Sequence, residues 1–381
     1  MVFSWLAPNP RARRDAEFGR VQQFVINPAG IPEVCDMLKE CPRHQPTPLY
    51  GLANLAERLG LGEIRVKDES QRFGFGAFKA LGGVLAVYSE LSGAIGKACS
   101  FAEIMDGAHR QITARFTFAT ASSGNHGRSV AAGAKLFGAR CVVFLPKFTS
   151  AEKEAAIRAR GAEVVRVDGD YDEAVAACRR TSEQSGWTII SDTSWEGYES
   201  VPRNVMRGYC VLVDEAVVQL GQAPTHVFVQ AGVGGLAAAV IGYLWAVLPE
   251  RPTFIVVEPR SADCWFQSNQ AGRPVPASGN ADTAMGGLAC REISPVTWPI
   301  VGEGADWFMT IEEDEVMPAR RLFAHPTGTD PAIASGPSGC AGLAGLLRVC
   351  SEEAAVKALK LDRQSRVLLI NSEGNLGEQP A

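Results

Sequence analysis

The chain has 381 residues, 46% of them hydrophobic and 21% charged, with a formal net charge of -5 at pH 7. This composition has room for two or three domains and excludes a disordered chain, a disulfide-stapled miniprotein and a collagen-like repeat. The acidic balance also disfavours a protein that tracks nucleic-acid phosphates, so no nucleic-acid partner is expected.

The N-terminal run MVFSWLAPNPRARRDAEFGR lacks the basic start, apolar core and small-residue cleavage site of a secretory signal. A polar, glycine-bearing loop from Lys67 to Gly76 then leads into a helical pattern over 77–93. Short apolar runs predict strands at 115–121, 141–146, 162–167, 188–192, 226–231, 253–259 and 366–371. Helical patterns fall at 125–137, 150–160, 171–185, 201–220, 235–248, 313–324 and 338–360. The stretch 270–305, rich in Gly, Pro, Ser and Ala, reads as loop.

Several strand candidates are apolar throughout, as strands covered on both faces of a parallel sheet are. Their alternation with helices predicts an α/β fold with crossover connections. Four strand–helix units between about 90 and 205 predict a compact open sheet of their own, and a second series starts near 225.

From Ala223 to Pro249 there is no Asp, Glu, Lys or Arg, which superficially matches a membrane span. His226, Gln230 and the glycines at 232, 234 and 235 break the run, and a buried strand, a turn and a buried helix explain it better. The ten cysteines are scattered without a CxxC pair, so reduced buried thiols, a cytoplasmic location and no metal site are expected.

Four stretches have residues suited to chemistry. In Phe78-Lys79-Ala80-Leu81-Gly82-Gly83 the lysine falls in a first helical turn, where the helix dipole disfavours its protonated form and so favours a nucleophilic amine. Taken alone, a surface lysine lying along its helix is the simpler explanation. Ser122-Ser123-Gly124-Asn125-His126-Gly127 joins a strand to a helix start, where free N–H groups and small hydroxyls can hold a carboxylate or phosphate. Ordinary helix capping is the simpler alternative.

Gly232-Val233-Gly234-Gly235-Leu236 also sits between strand and helix, and its glycines let backbone wrap an anion. A dinucleotide turn is the competing reading. Ala237 breaks its G-x-G-x-x-G spacing, although Glu258 lies about where its ribose-binding acid would. Finally, the strand at 366–371 runs into Ser372, whose hydroxyl could face a ring nitrogen beyond the strand end.

In this order, the four motifs resemble the fold type II pyridoxal-phosphate enzymes, the superfamily of the tryptophan synthase β-subunit and threonine dehydratase. Finer features resemble its diaminopropionate ammonia-lyase branch: Lys67-Asp68-Glu69-Ser70, FKALGG at 78–83, GNHGR at 124–128, Asp192-Thr193-Ser194-Trp195-Glu196-Gly197-Tyr198, Met206-Arg207-Gly208-Tyr209 and MGGLAC at 285–290. The likeness runs from about residue 25 to 376.

The resemblance implies two open, twisted, mostly parallel sheets flanked by helices, with pyridoxal 5'-phosphate between the domains. It gives a large cofactor-binding domain of 1–89 and 206–381, a small mobile domain of 90–205, and a homodimer. Lys79 would bond the cofactor, Phe78 would pack beside its ring, and Asn125 would reach its 3-oxygen. Gly232, Val233, Gly234, Gly235 and Leu236 would hold its phosphate, and Ser372 would face its ring nitrogen. The loop of Ser122, Ser123, Gly124, Asn125 and His126 would take the carboxylate of an amino-acid substrate.

The implied reaction is α,β-elimination, giving a 2-oxo acid and ammonia, with Lys79, Asp192 and Ser123 as the catalytic candidates. The branch carries Asp directly before GNHG, thought to be the base for D-substrates, where this chain has Ser123; it also carries an acid where this chain has Pro337. A preference for L-substrates is therefore expected. A dehydratase acting on a 3-hydroxy amino acid is the alternative, and a non-catalytic amino-acid sensor with this fold is a third reading, against which the retained Lys79 argues.

Overall fold

Strands that are apolar on both faces need helices above and below, and both sheets of this protein are built that way. The computed structural model describes residues 3–96 and 99–375. Its strands are β1 (Leu6–Pro8), β2 (Leu49–Gly51), β3 (Glu63–Asp68), β4 (Thr117–Ala121), β5 (Arg140–Pro146), β6 (Glu163–Val167), β7 (Thr188–Ile189), β8 (His226–Gln230), β9 (Thr253–Pro259), β10 (Trp307–Ile311) and β11 (Arg366–Asn371). They form a seven-stranded sheet in the order β1-β10-β9-β8-β11-β3-β2 and a four-stranded sheet in the order β6-β5-β4-β7. All pairings are parallel except the two edges β1 and β2, which run antiparallel to β10 and β3.

The chain folds as two units. The first holds residues 1–29, 46–78 and 212–381 with the larger sheet; the second holds 30–45 and 79–211 with the smaller. In the first unit Phe228, Ile255, Val257, Met309, Leu346 and Leu369 anchor one buried core under the sheet. Neighbouring strands β8, β11 and β3 are parallel, so Gln230, Ser372 and Asp68 come off the same edge of that sheet. In the second unit Ala119, Val142, Phe144 and Cys178 form the buried centre of one face.

The structure moves the expected domain boundary. The helix Lys79–Ile95, placed by sequence with the large domain, belongs to the second unit, as do residues 30–45. Its glycines explain this. A Cβ at Gly208 would lie 2.6 Å from the Leu81 carbonyl oxygen, and one at Gly82 would lie 2.8 Å from the Val205 carbonyl oxygen. The helix is thus locked backbone to backbone against the helix Ser200–Gln219. On another side Gly133 of the helix Asn125–Phe137 approaches Val84 so closely that a Cβ would sit 3.2 Å from its Cα.

Other differences are local. The expected helix 338–360 is two, Ala341–Cys350 and Glu353–Leu359, because Glu352 is extended. The strand expected at 188–192 ends at Ile189, and the loop 270–305 contains the helix Trp298–Gly304. Strands β1, β2 and β3 are short or charged and carry no apolar run that marks them in the sequence, and β10 is a further strand beyond those expected.

The run Lys67–Arg72, read as a polar loop, is among the most buried parts of the first unit. The Lys67 amine lies 2.7 Å from Glu215, and the Arg72 guanidinium reaches both Glu69 (2.8 Å) and Glu215 (2.7 Å). Two cations and two carboxylates neutralise each other where unpaired charges would be prohibitive. No helix among the described residues is long and apolar enough to cross a membrane.

The glycine contacts generate a stability prediction. Gly208→Ala should lower stability by about 1–3 kcal/mol through overpacking. Gly93→Ala, in the same Lys79 helix but with nothing within 4 Å of its new Cβ, should be neutral or stabilising. Urea midpoints of the two variants check this; equal midpoints would contradict the packing argument.

Candidate active site

Each unit carries part of the expected constellation. In the second, Lys79 opens the helix Lys79–Ile95, and Asp192 follows the short strand β7. The two meet: Lys79 Nζ lies 2.5 Å from Asp192 Oδ2, each side chain about one-fifth exposed. Burial by itself would raise the Asp192 carboxyl, but the charge of Lys79 and the hydrogen bond it donates pull it well below the usual carboxylate range.

His126 completes the cluster. It is buried, its Nε2 is 3.0 Å from the Ile190 carbonyl oxygen, and its Nδ1 is 3.8 Å from Asp192 Oδ2. A carbonyl can only accept, so Nε2 carries a proton and Nδ1 is the lone-pair nitrogen of the neutral ring. Burial, and after it the charge of Lys79, depress the imidazole pKa against the pull of Asp192.

Backbone ties hold these groups. Ser129 donates to the Lys79 carbonyl oxygen at 2.7 Å, linking the first turn of the lysine helix to the helix Asn125–Phe137. Ahead of that helix, the Gly124 N–H bonds the Ser122 hydroxyl at 3.3 Å, Ser123 is half-buried, and Arg128 donates to the Asn125 side-chain oxygen at 3.2 Å. The Trp195-Glu196-Gly197-Tyr198 turn stacks its two rings 3.8 Å apart. The Tyr198 hydroxyl donates to the Ile189 carbonyl oxygen (2.7 Å) and accepts from the Ser191 N–H (3.0 Å), clamping the approach to Asp192.

A small cavity beside Asp192 and His126 is lined by Thr120, Tyr171, Arg179 and Trp195.

The first unit carries the glycine turn. Gly234 caps the helix Gly235–Val247 with φ 103°, a conformation glycine adopts without strain. A Cβ there would lie 2.8 Å from Thr297 Oγ1 and also strike the Trp265 ring; one at Gly232 would lie 3.0 Å from Cys290 Sγ. The turn is held from outside: Trp265 Nε1 donates to the Gly232 carbonyl oxygen (2.9 Å) and the Ser294 N–H to that of Val233 (2.9 Å). The first N–H groups of the helix have no partner within it, so the turn presents donors and the positive end of a helix dipole to an anion.

Trp265 is itself fixed. The fully buried Glu258 carboxylate accepts from the N–H groups of Trp265 and Phe266, both at 2.8 Å. Burial pushes that carboxyl well above the ordinary range despite these bonds. Glu258 is therefore engaged by a helix start, which removes the one feature that favoured a dinucleotide turn.

Ser372 follows β11 and is buried. Its carbonyl oxygen accepts from the Phe78 N–H at 3.0 Å, so the residue preceding Lys79 is tied to this strand end. Its hydroxyl lies 3.0 Å from Gln230 Nε2. Nothing in the sequence marks Trp265 or Thr297; Glu258 stands out there only as a candidate ribose-binding acid, and Gln230 only as a polar break in an apolar run that heads the glycine motif. Among the described residues no group of His, Cys, Asp and Glu is arranged to hold a metal ion.

Taken unit by unit, the residues suit a phosphorylated aldehyde cofactor: the first unit has a backbone cradle that a single Cβ would fill and a buried hydroxyl, and the second has an amine opening a helix. The family model of pyridoxal-phosphate dependent enzymes matches residues 41–373. The chain is 39% identical over 357 residues to diaminopropionate ammonia-lyase of Salmonella typhimurium, covering 90% of this chain and 88% of that one. The biosynthetic L-threonine dehydratase of Pasteurella multocida is 28% identical over 81% of the chain and 53% of its own length.

Among solved structures, holo diaminopropionate ammonia-lyase from Escherichia coli superposes with a TM-score of 0.87 at 36% identity, covering 98% of this chain and 95% of that one. The same enzyme in complex with an aminoacrylate-PLP azomethine reaction intermediate gives 0.84 at 36% identity and the same coverage. The chain therefore belongs to the pyridoxal-phosphate-dependent enzymes of fold type II, and pyridoxal 5'-phosphate is its cofactor.

Proposed function

We propose that the protein is a pyridoxal-phosphate-dependent ammonia-lyase that converts 2,3-diaminopropionate and water to the three-carbon 2-oxo acid and ammonia, with a preference for the L-form. The observation that supports this reading most directly is the contact between Lys79 and Asp192: an amine and a carboxylate 2.5 Å apart, with His126 beside them. The similarity to ammonia-lyases along nearly the whole chain selects this substrate class over a general one. The same similarity favours a cytoplasmic enzyme, and we propose a homodimer.

In this reading Lys79 holds the cofactor covalently, with Phe78 beside its ring and Asn125 at its 3-oxygen. The turn from Gly232 to Leu236 takes the phosphate, and Ser372 faces the ring nitrogen. Bound pyridoxal phosphate supplies the electron sink that stabilises negative charge at the substrate Cα. The loop from Ser122 to His126 takes the substrate carboxylate.

Once freed, the Lys79 amine would serve as the base that takes the Cα proton of the L-form, and it becomes an ammonium in doing so; while Lys79 is bonded to the cofactor, Asp192 lacks that cation. With the attraction of Lys79 gone, burial raises the carboxyl, so Asp192 changes from a spectator anion into a group able to hold or pass a proton. The β-nitrogen must depart as neutral ammonia while still carrying its full set of protons, and Asp192 orients that ammonium. Hydrolysis of the remaining enamine releases the second ammonia.

A 3-hydroxy amino acid is the second reading, favoured by one observation: Ser122-Ser123 precedes Gly124 where the branch carries Asp.

Two tests follow. Borohydride reduction and peptide mapping should place the pyridoxyl group on Lys79, and Lys79→Ala should lose turnover; labelling of another lysine would remove the assignment. A single base serves one face of a planar intermediate, and a serine hydroxyl is a poor base near neutral pH. Loss of a general base costs on the order of 10²–10⁴ in rate. The kcat/KM for D-2,3-diaminopropionate should fall below that for the L-form by such a factor, and Ser123→Asp should raise it. Comparable values for both enantiomers in the parent enzyme would refute the role given to Ser123.

A further inference from the structure

Gln230, the last residue of β8, is buried, and its amide nitrogen lies in a ring of acceptors: the carbonyl oxygens of Ile370 (2.9 Å), Ser338 (3.1 Å) and Gly339 (3.3 Å), and Ser372 Oγ (3.0 Å). Its amide oxygen is buried on the far side with no hydrogen-bond partner. The three carbonyls can only accept, so they fix which end of the amide faces them. Turning the amide over would aim a fourth oxygen at three others, a worse arrangement than one orphaned oxygen.

The consequence falls on Ser372. An amide nitrogen cannot accept, so beside Gln230 the Ser372 hydroxyl serves as the acceptor and its own hydrogen is directed elsewhere. We infer that Gln230 is a positioning residue that sets the Ser372 hydroxyl as a hydrogen-bond donor toward the cofactor's ring nitrogen. The inference rests on the reading that Ser372 faces that nitrogen. A nitrogen that receives a hydrogen bond keeps its lone pair and is held unprotonated. The polarity of one contact thus passes from three backbone carbonyls through Gln230 and Ser372. Without the amide, the freed carbonyls would compete for the serine hydrogen, and the hydroxyl would present a lone pair to the nitrogen instead.

The test uses holoenzyme reconstituted with pyridoxal phosphate carrying ¹⁵N in its ring. The ring ¹⁵N resonance is compared in the parent enzyme, Ser372→Ala, Gln230→Met and the double variant. The parent should show an unprotonated, hydrogen-bonded nitrogen. Both single variants should move the resonance, and the double variant should move it no further than Ser372→Ala alone, since the residues act in series. A Gln230→Met resonance at the parent position, with Ser372→Ala displaced, overturns the inference and leaves the Ser372 reading standing. No displacement in Ser372→Ala overturns both.

Should Gln230→Met not fold, the side-chain amide ¹H–¹⁵N signals of Gln230 carry the same test: Ser372→Ala should move one of the two amide protons. An unmoved pair overturns the inference.

Discussion

The contact between Lys79 and Asp192 is the constraint on which the second unit is organised. An amine and a carboxylate in contact can act together only if both groups are held in place. The lysine is held by its helix, and the helix by glycines at 82, 133 and 208 that let neighbouring backbones touch it. The carboxylate follows a two-residue strand whose end is clamped by Tyr198. His126, bonded to the Ile190 carbonyl, presents a lone pair rather than a proton to Asp192. The cluster therefore has a single mobile charge pair, and removing the cation changes what the anion can do.

In the proposed reading the first unit meets a different demand, the binding of an anion by backbone alone. Side-chain cations are absent from the glycine turn itself; shape and dipole do the work. The turn cannot drift because Trp265 and Ser294 hold its carbonyls, and Trp265 is placed by a carboxylate that burial and two N–H bonds keep in position. Beside it Gln230 and Ser372 form a polar pair whose direction is set by carbonyls rather than by charge. In the proposed reading, where Ser372 faces the cofactor ring, a hydroxyl in place of a carboxylate limits how far negative charge at Cα is stabilised, which suits a reaction that expels a β-substituent promptly over one that waits for reprotonation.

Much of this was legible in the sequence. The strands β4, β5, β8, β9 and β11 are continuous apolar runs, and the helices Asn125–Phe137, Tyr171–Ser185 and Glu313–Ala324 show their periods and, in two of them, N-terminal acidic residues that cap or complement the dipole. Lys79, the GNHG loop and the glycine turn stood out because glycine and small polar residues between strand and helix are unusual. What was hidden lacked such a signal. Strand β3 reads Glu-Ile-Arg-Val-Lys-Asp, four of its six residues charged, because Arg65 pairs with Glu63 and Lys67 is paired in the interior with Glu215, 148 residues further on. The break at Glu352 and the unit boundary at 78/79 depend on packing, not on local composition. Gln230 looked like an ordinary strand residue until its acceptors were brought round it by β11 and the 335–339 loop.

Elimination from a β-amino substrate shows itself in product stoichiometry. With L-2,3-diaminopropionate as sole substrate, two molecules of ammonia are expected for each molecule of 2-oxo acid, both nitrogens being lost and no oxidant or amino acceptor consumed. A dehydratase assayed on a 3-hydroxy amino acid would give one of each. Ammonia released without 2-oxo acid, a ratio near one from diaminopropionate, or a requirement for an added acceptor would contradict the account.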